Sequence, residues 1–136
     1  AANISRTHLD ERRAADRRIL RSLLVRLELR WTEEAVCFAQ NMHSGMLPLD
    51  PPNVERYAGM MCAVREANDR RRVYEDAGLA AAIARQWRAT CIARTGMEGM
   101  GAYAAYLRYA DAFCVRRSLG MDGGFFVKAL LRWGER

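Results

Sequence analysis

The sequence predicts an all-α protein, a helical bundle of about five helices with a projecting basic helical arm at its amino terminus. Three observations carry that expectation. Ala, Leu, Arg, Met and Glu, all strong helix formers, dominate the composition. Alternating β-branched runs are absent. Clusters of Gly and Pro cut the remainder into helix-length segments joined by short loops, as between antiparallel neighbours. At 136 residues, 51% of them hydrophobic, the chain is long enough for one domain with a core of its own.

The first helix is expected from about Thr7, with Asp10 three residues on in a capping-box-like arrangement, to about Arg30. It either continues to Asn41, or Thr32 followed by Glu33 and Glu34 caps a new helix. Ser44 to Pro52 is the main loop. Asn53 is then expected to cap a helix over roughly 54–75, with Val54, Tyr57, Met61 and Val64 on one face. A third long helix spans about 79–94 through Leu79, Ile83, Trp87 and Cys91. Another, about 100–118, carries Tyr103, Leu107, Ala110, Phe113 and Cys114. Gly99, Gly101 and the small residues Ala102, Ala104 and Ala105 permit close approach between helices. A short terminal helix holds Phe125, Phe126, Ala129, Leu130 and Trp133. Phe125, Phe126 and Trp133 are either core residues or an exposed face for joining subunits.

The first helix changes character half way. From Ile19 to Trp31, Leu20, Leu23, Leu24 and Leu27 form an apolar stripe. Projected backwards, that stripe meets Arg13, Asp16 and Arg17, so the segment from Arg6 to Arg18 is polar all round. Residues 1–18 are therefore read as a basic helical arm and 19–136 as the bundle. The arm carries Arg6, Arg12, Arg13, Arg17 and Arg18, continued by Arg21, against Asp10, Glu11 and Asp16. It is either a solvated helix stitched by local pairs such as Arg12–Asp16, or a surface for a phosphate backbone.

Charge weights the second choice. The chain has 21 Arg, one Lys and 16 acids, for a formal net charge of +6. Guanidinium forks hold phosphate bidentately and keep their charge. Arg70, Arg71 and Arg72 form a second basic group, although cations also suit a helix C-terminus. No reader-like cluster of Asn, Gln and Arg stands out, so the expected partner is a nucleic acid bound through its backbone without sequence preference.

The same sequence argues against other classes. No run is apolar enough to span a membrane, and the amino terminus lacks a signal-like apolar stretch, so an intracellular, soluble chain is expected, and the missing initiator Met suggests one that is trimmed or excised. Cys37, Cys62, Cys91 and Cys114 are far apart and neither His8 nor His43 lies at ligand spacing, so no metal site is expected. The four are read as small buried hydrophobes, with disulfides between helices as the alternative. No P-loop, dinucleotide-binding glycine motif, G-x-S-x-G or H-E-x-x-H occurs, and neither a catalytic centre nor a cofactor is expected.

Two resemblances follow. The run Glu11 to Leu29 resembles the opening helix of the all-helical chorismate mutases, with Arg26 at the place of a substrate-binding Arg and Asp50 near that of a loop Asp. The Lys which that family carries later in its first helix would fall near Cys37, and no Lys precedes Lys128. The arm ahead of a bundle, the scarce Asn and Gln and the terminus without Met together resemble the helical coat proteins of filamentous DNA viruses of hot-environment archaea. That resemblance implies a virion coat subunit that wraps double-stranded DNA in a helical particle and packs against itself or a related subunit. Arg6, Arg12, Arg13, Arg17, Arg18 and Arg21 would touch phosphate, with Arg70, Arg71 and Arg72 as secondary contacts. A helical protein–protein interaction module is the remaining alternative.

Overall fold

The computed structural model describes residues 2–116, 125–127 and 129–130, with side chains described from Arg6 onward. Trp133 lies outside the described residues. The protein is an all-α bundle of α1 (Ala2–Arg26), α2 (Glu33–His43), α3 (Pro51–Arg71), α4 (Asp76–Glu98) and α5 (Met100–Arg108), with residues 125–127 and 129–130 also helical. No strand occurs among the described residues.

The end of α1 is set by a Schellman-type turn. Leu29 N–H donates to the Leu24 carbonyl at 2.9 Å and Glu28 N–H to that of Val25 at 3.1 Å, with Glu28 left-handed at φ 54°. The first helix therefore stops short of Arg30 and does not run into α2. Thr32 starts α2, its hydroxyl accepting from Ala35 N–H at 3.1 Å, while Glu33 and Glu34 complement the helix dipole.

Asp50, not Asn53, caps α3. Its carboxylate accepts from Asn53 N–H at 3.0 Å, and Pro51 follows at the first helical turn, where a missing N–H is harmless. Asn53 instead bonds backward through its amide to the Pro48 carbonyl. Arg72, at φ 52°, ends α3 four residues before the expected boundary. Buried Asn68 knits α3 to α4, exchanging hydrogen bonds with both backbone groups of Tyr74 and donating to Asp76.

The α2–α3 loop is pinned to the end of α4. Arg94, on a buried stretch of α4, donates to the Gly45 carbonyl at 3.2 Å and pairs with Glu98 at 3.4 Å, and Glu98 accepts from Leu49 N–H at 3.1 Å. The helix expected over 100–118 is shorter: α5 ends at Arg108 and the chain turns, which lays Phe113 flat on Trp87 with ring centroids 4.1 Å apart. Tyr57 and Tyr106 complete this aromatic centre, Trp87 Nε1–H donating to the Tyr106 carbonyl. A smaller cluster of Leu27, Val64 and Ala67 ties the end of α1 to α3.

Phe125 is buried against Tyr103 and Tyr106, so it belongs to the core and not to a subunit face. Phe126, Val127 and Leu130 are exposed. The cysteines are all free. Cys91 is buried as expected, whereas Cys37 and Cys62 are exposed and Cys114 is half-buried in the turn after α5.

Candidate nucleic-acid interface

α1 is continuous across residue 18, and its contacts with α2 begin at Arg13. Gln40 of α2 donates its amide to the Arg13 carbonyl at 2.7 Å and accepts from Arg17 Nε at 3.3 Å. The Arg13 guanidinium reaches the Met46 sulfur, and Arg21 pairs with Glu33 at 2.6 Å. These three arginines stand at four-residue spacing, one above another on the edge of α1 that meets α2. The expectation of an arm without any docking face is thus revised: one side of it rests on α2 through polar groups.

The consequences for charge differ along this edge. Gln40 and Met46 are neutral, so Arg13 and Arg17 keep their charge unopposed by a contacting carboxylate, while Arg21 is matched by Glu33. Around exposed Ala14 the four guanidinium-bearing side chains of Arg13, Arg17, Arg18 and Arg21, with Gln40, line an open groove of about 500 Å³. Arg6, Arg12 and Arg18 are exposed and touch no carboxylate among the described residues. The local pair Arg12–Asp16 is not formed. Five arginines, Arg6 to Arg18, therefore present charge over twelve residues of helix, about 18 Å at 1.5 Å per residue.

The second basic group lies beyond the other end of α1. Arg71 grips Glu28 with both guanidinium nitrogens, which places it at the turn closing α1 and largely cancels its charge. Arg70 and Arg72 are exposed and touch no carboxylate among the described residues. The structure thus separates Arg70–Arg72 from the Arg6–Arg18 cluster by the length of α1's apolar half. Arg56 is also committed, to Glu34 at 2.9 Å and to the face of Phe38 at 4.1 Å.

Other chemistry is sparse. His43 is half-buried, its Nε2 shielded from solvent and without a hydrogen-bond partner among the described residues, and desolvation lowers its pKa to about 4 against the opposing pull of Asp16. The Tyr57 hydroxyl beside it is likewise unpartnered, and burial raises its pKa. Burial also raises the Cys91 thiol, so it is no thiolate at neutral pH. Among the described residues, no three His, Cys, Asp or Glu side chains converge as for a metal, and no helix is long and apolar enough to cross a membrane. Asp50 spends its carboxylate on the α3 cap.

Gln40, Met46 and Glu33 are the residues that sequence reasoning missed. Their roles depend on how α2 and the loop after it meet α1, and no local pattern encodes that. No protein-family model, curated protein or solved structure matches this chain.

Proposed function

We propose that this protein is a non-catalytic, sequence-independent DNA-binding structural protein whose α1 edge lies along the phosphate backbone. The observation that supports this reading is the set of guanidinium groups from Arg6 to Arg18 without a contacting carboxylate among the described residues, of which Arg13 and Arg17 are held through the neutral Met46 and Gln40. Duplex DNA carries one negative charge per about 1.7 Å of axis, so an 18 Å stretch offers about ten charges to five cations. Arg70 and Arg72 serve as secondary contacts at the far end of α1. Arg21 and Arg71 are held by acids and act as supports.

The role most in keeping with such a surface is a coat subunit that wraps double-stranded DNA in a helical virus particle. Exposed Phe126, Val127 and Leu130 supply apolar area for contact with a second copy or a related subunit.

The test is fluorescence anisotropy with random-sequence duplex across a salt series. Each phosphate contact steepens log affinity against log salt by about 0.9. Replacing Arg6, Arg12 and Arg18 by Glu, all solvent-facing, is expected to abolish binding at moderate salt with helical content intact. A folded triple variant of unchanged affinity removes the arm from the interface. A protein that binds no duplex even at low salt removes the DNA reading altogether.

A further inference from the structure

α1 leans on α2 and leaves a trough on its other side, towards α4. Two adjoining open clefts of about 470 and 610 Å³ share Ile19, Leu23, Leu79 and Ala82 in their walls and together make up the trough. Met61 and Val64 of α3 line its inner part. Measured along α4 from Glu75 to Gln86, it is about 17 Å long at 1.5 Å per residue. Its walls are largely aliphatic, yet Ile19 is 68% exposed, an apolar wall facing nothing. The volume is that of a small-molecule site rather than a seat for a helix about 10 Å across.

The two ends differ. The outer rim carries Arg18 and Arg26, which flank Ser22 on α1, and neither contacts a carboxylate among the described residues. Glu75 stands on the opposite rim, leaving two cations to one anion there. The inner end holds Asp16 and His43, the imidazole kept neutral by burial. Asp16 disfavours an anion at that end, whereas Arg18 and Arg26 favour one at the other. A ligand with an apolar body and one negative head therefore has a single favoured direction.

We propose that this trough binds one free, single-chain aliphatic carboxylate, its head between Arg18 and Arg26 and its chain along Ile19, Leu23, Leu79 and Ala82. The site is separate from the DNA-facing edge except at Arg18, which borders both.

Isothermal titration of the full chain with dodecanoate below its micellar concentration tests this, with dodecanol and dodecylammonium as probes of matched length. One-to-one binding of dodecanoate at least tenfold tighter than of either probe is expected. Exposed Ala82→Trp fills the trough and exposed Ile19→Glu places a carboxylate on its wall, and each is expected to abolish binding. Arg18→Gln with Arg26→Gln is expected to reduce dodecanoate to the affinity of dodecanol. Equal binding of carboxylate and alcohol by the unmodified protein overturns the head assignment. Absence of saturable binding, binding that survives both wall variants in folded protein, or binding only to anionic vesicles overturns the site. Ala82→Trp is neutral and lies on α4, off the DNA-facing edge, so its DNA affinity, read by anisotropy, shows separately whether that reading stands.

Discussion

Glu28 occupies a position where glycine is the usual residue. It closes α1 in the left-handed region at φ 54°, and its carboxylate is held by Arg71. A non-glycine residue there carries a backbone penalty of about 1–2 kcal/mol, while an exposed ion pair contributes about 0–1 kcal/mol. The two nearly offset one another in Glu28→Gly, which relieves the backbone and loses the pair. Glu28→Ala loses the pair and keeps the strain. In urea melts Glu28→Gly is expected to be more stable than Glu28→Ala by about 1 kcal/mol. Equal stability of the two variants would mean that the turn carries no strain. The residue also explains a misplaced boundary. Without a glycine to read, nothing between Val25 and Arg30 marks a helix end, since the stopping signal is a backbone conformation stabilised by Arg71, 43 residues away in sequence.

At the scale of elements, legibility followed the locality of the signal. Thr32 followed by two glutamates marked α2 as one of two open readings, because an N-cap and its dipole partners lie within one turn, and α2 does begin there. At the start of α3 the expected cap was Asn53, and Asp50 takes that place because Pro51 after it fits the first helical position. The polar, basic character of the arm was readable from the missing apolar stripe. Its docking on Gln40, Met46 and Glu33 was not, because it arises from the packing of α1 on α2. The α2–α3 loop shows the same dependence. Gly45 sits at φ +70°, and a Cβ built there would lie 2.6 Å from Ala93 Cβ. Gly45→Ala therefore meets both a steric clash and an unfavourable backbone, and a loss of about 2–4 kcal/mol is expected in denaturant melts. Adding Ala93→Gly removes the clash and not the φ penalty, although it introduces a helix glycine costing about 1 kcal/mol. The double variant is thus expected to recover less than the full loss. Strict additivity of the two changes would show that the close approach of loop and helix is absent in solution.

At the scale of the whole molecule, one half-buried imidazole links stability to pH. His43 packs edge-on against Tyr57 in the wall between α2 and α3, with ring centroids 5.4 Å apart and its Nε2 without a partner. Desolvation holds its pKa near 4 in the folded protein, against 6.5 for the free side chain, with Asp16 opposing the shift. The folded pKa is the lower one, so as pH falls the unfolded chain takes up this proton first. Stability contributed by the neutral imidazole is complete above about pH 6.5 and is lost progressively as pH falls to about 4. The full difference corresponds to about 3 kcal/mol at most. His43→Phe preserves the ring contact with Tyr57 and has nothing to titrate. Comparing the two proteins by thermal melts therefore isolates the histidine from carboxylates that protonate at the acid end of the same range. The unmodified protein is expected to lose stability relative to His43→Phe between pH 6.5 and 4, with parallel behaviour above pH 7. The opposite slope would mean that Asp16 outweighs desolvation and that the imidazolium is the favoured form. α1 would then be held to the rest of the bundle by a charged contact at the inner end of the trough, and acid would tighten the arm's seat instead of loosening it.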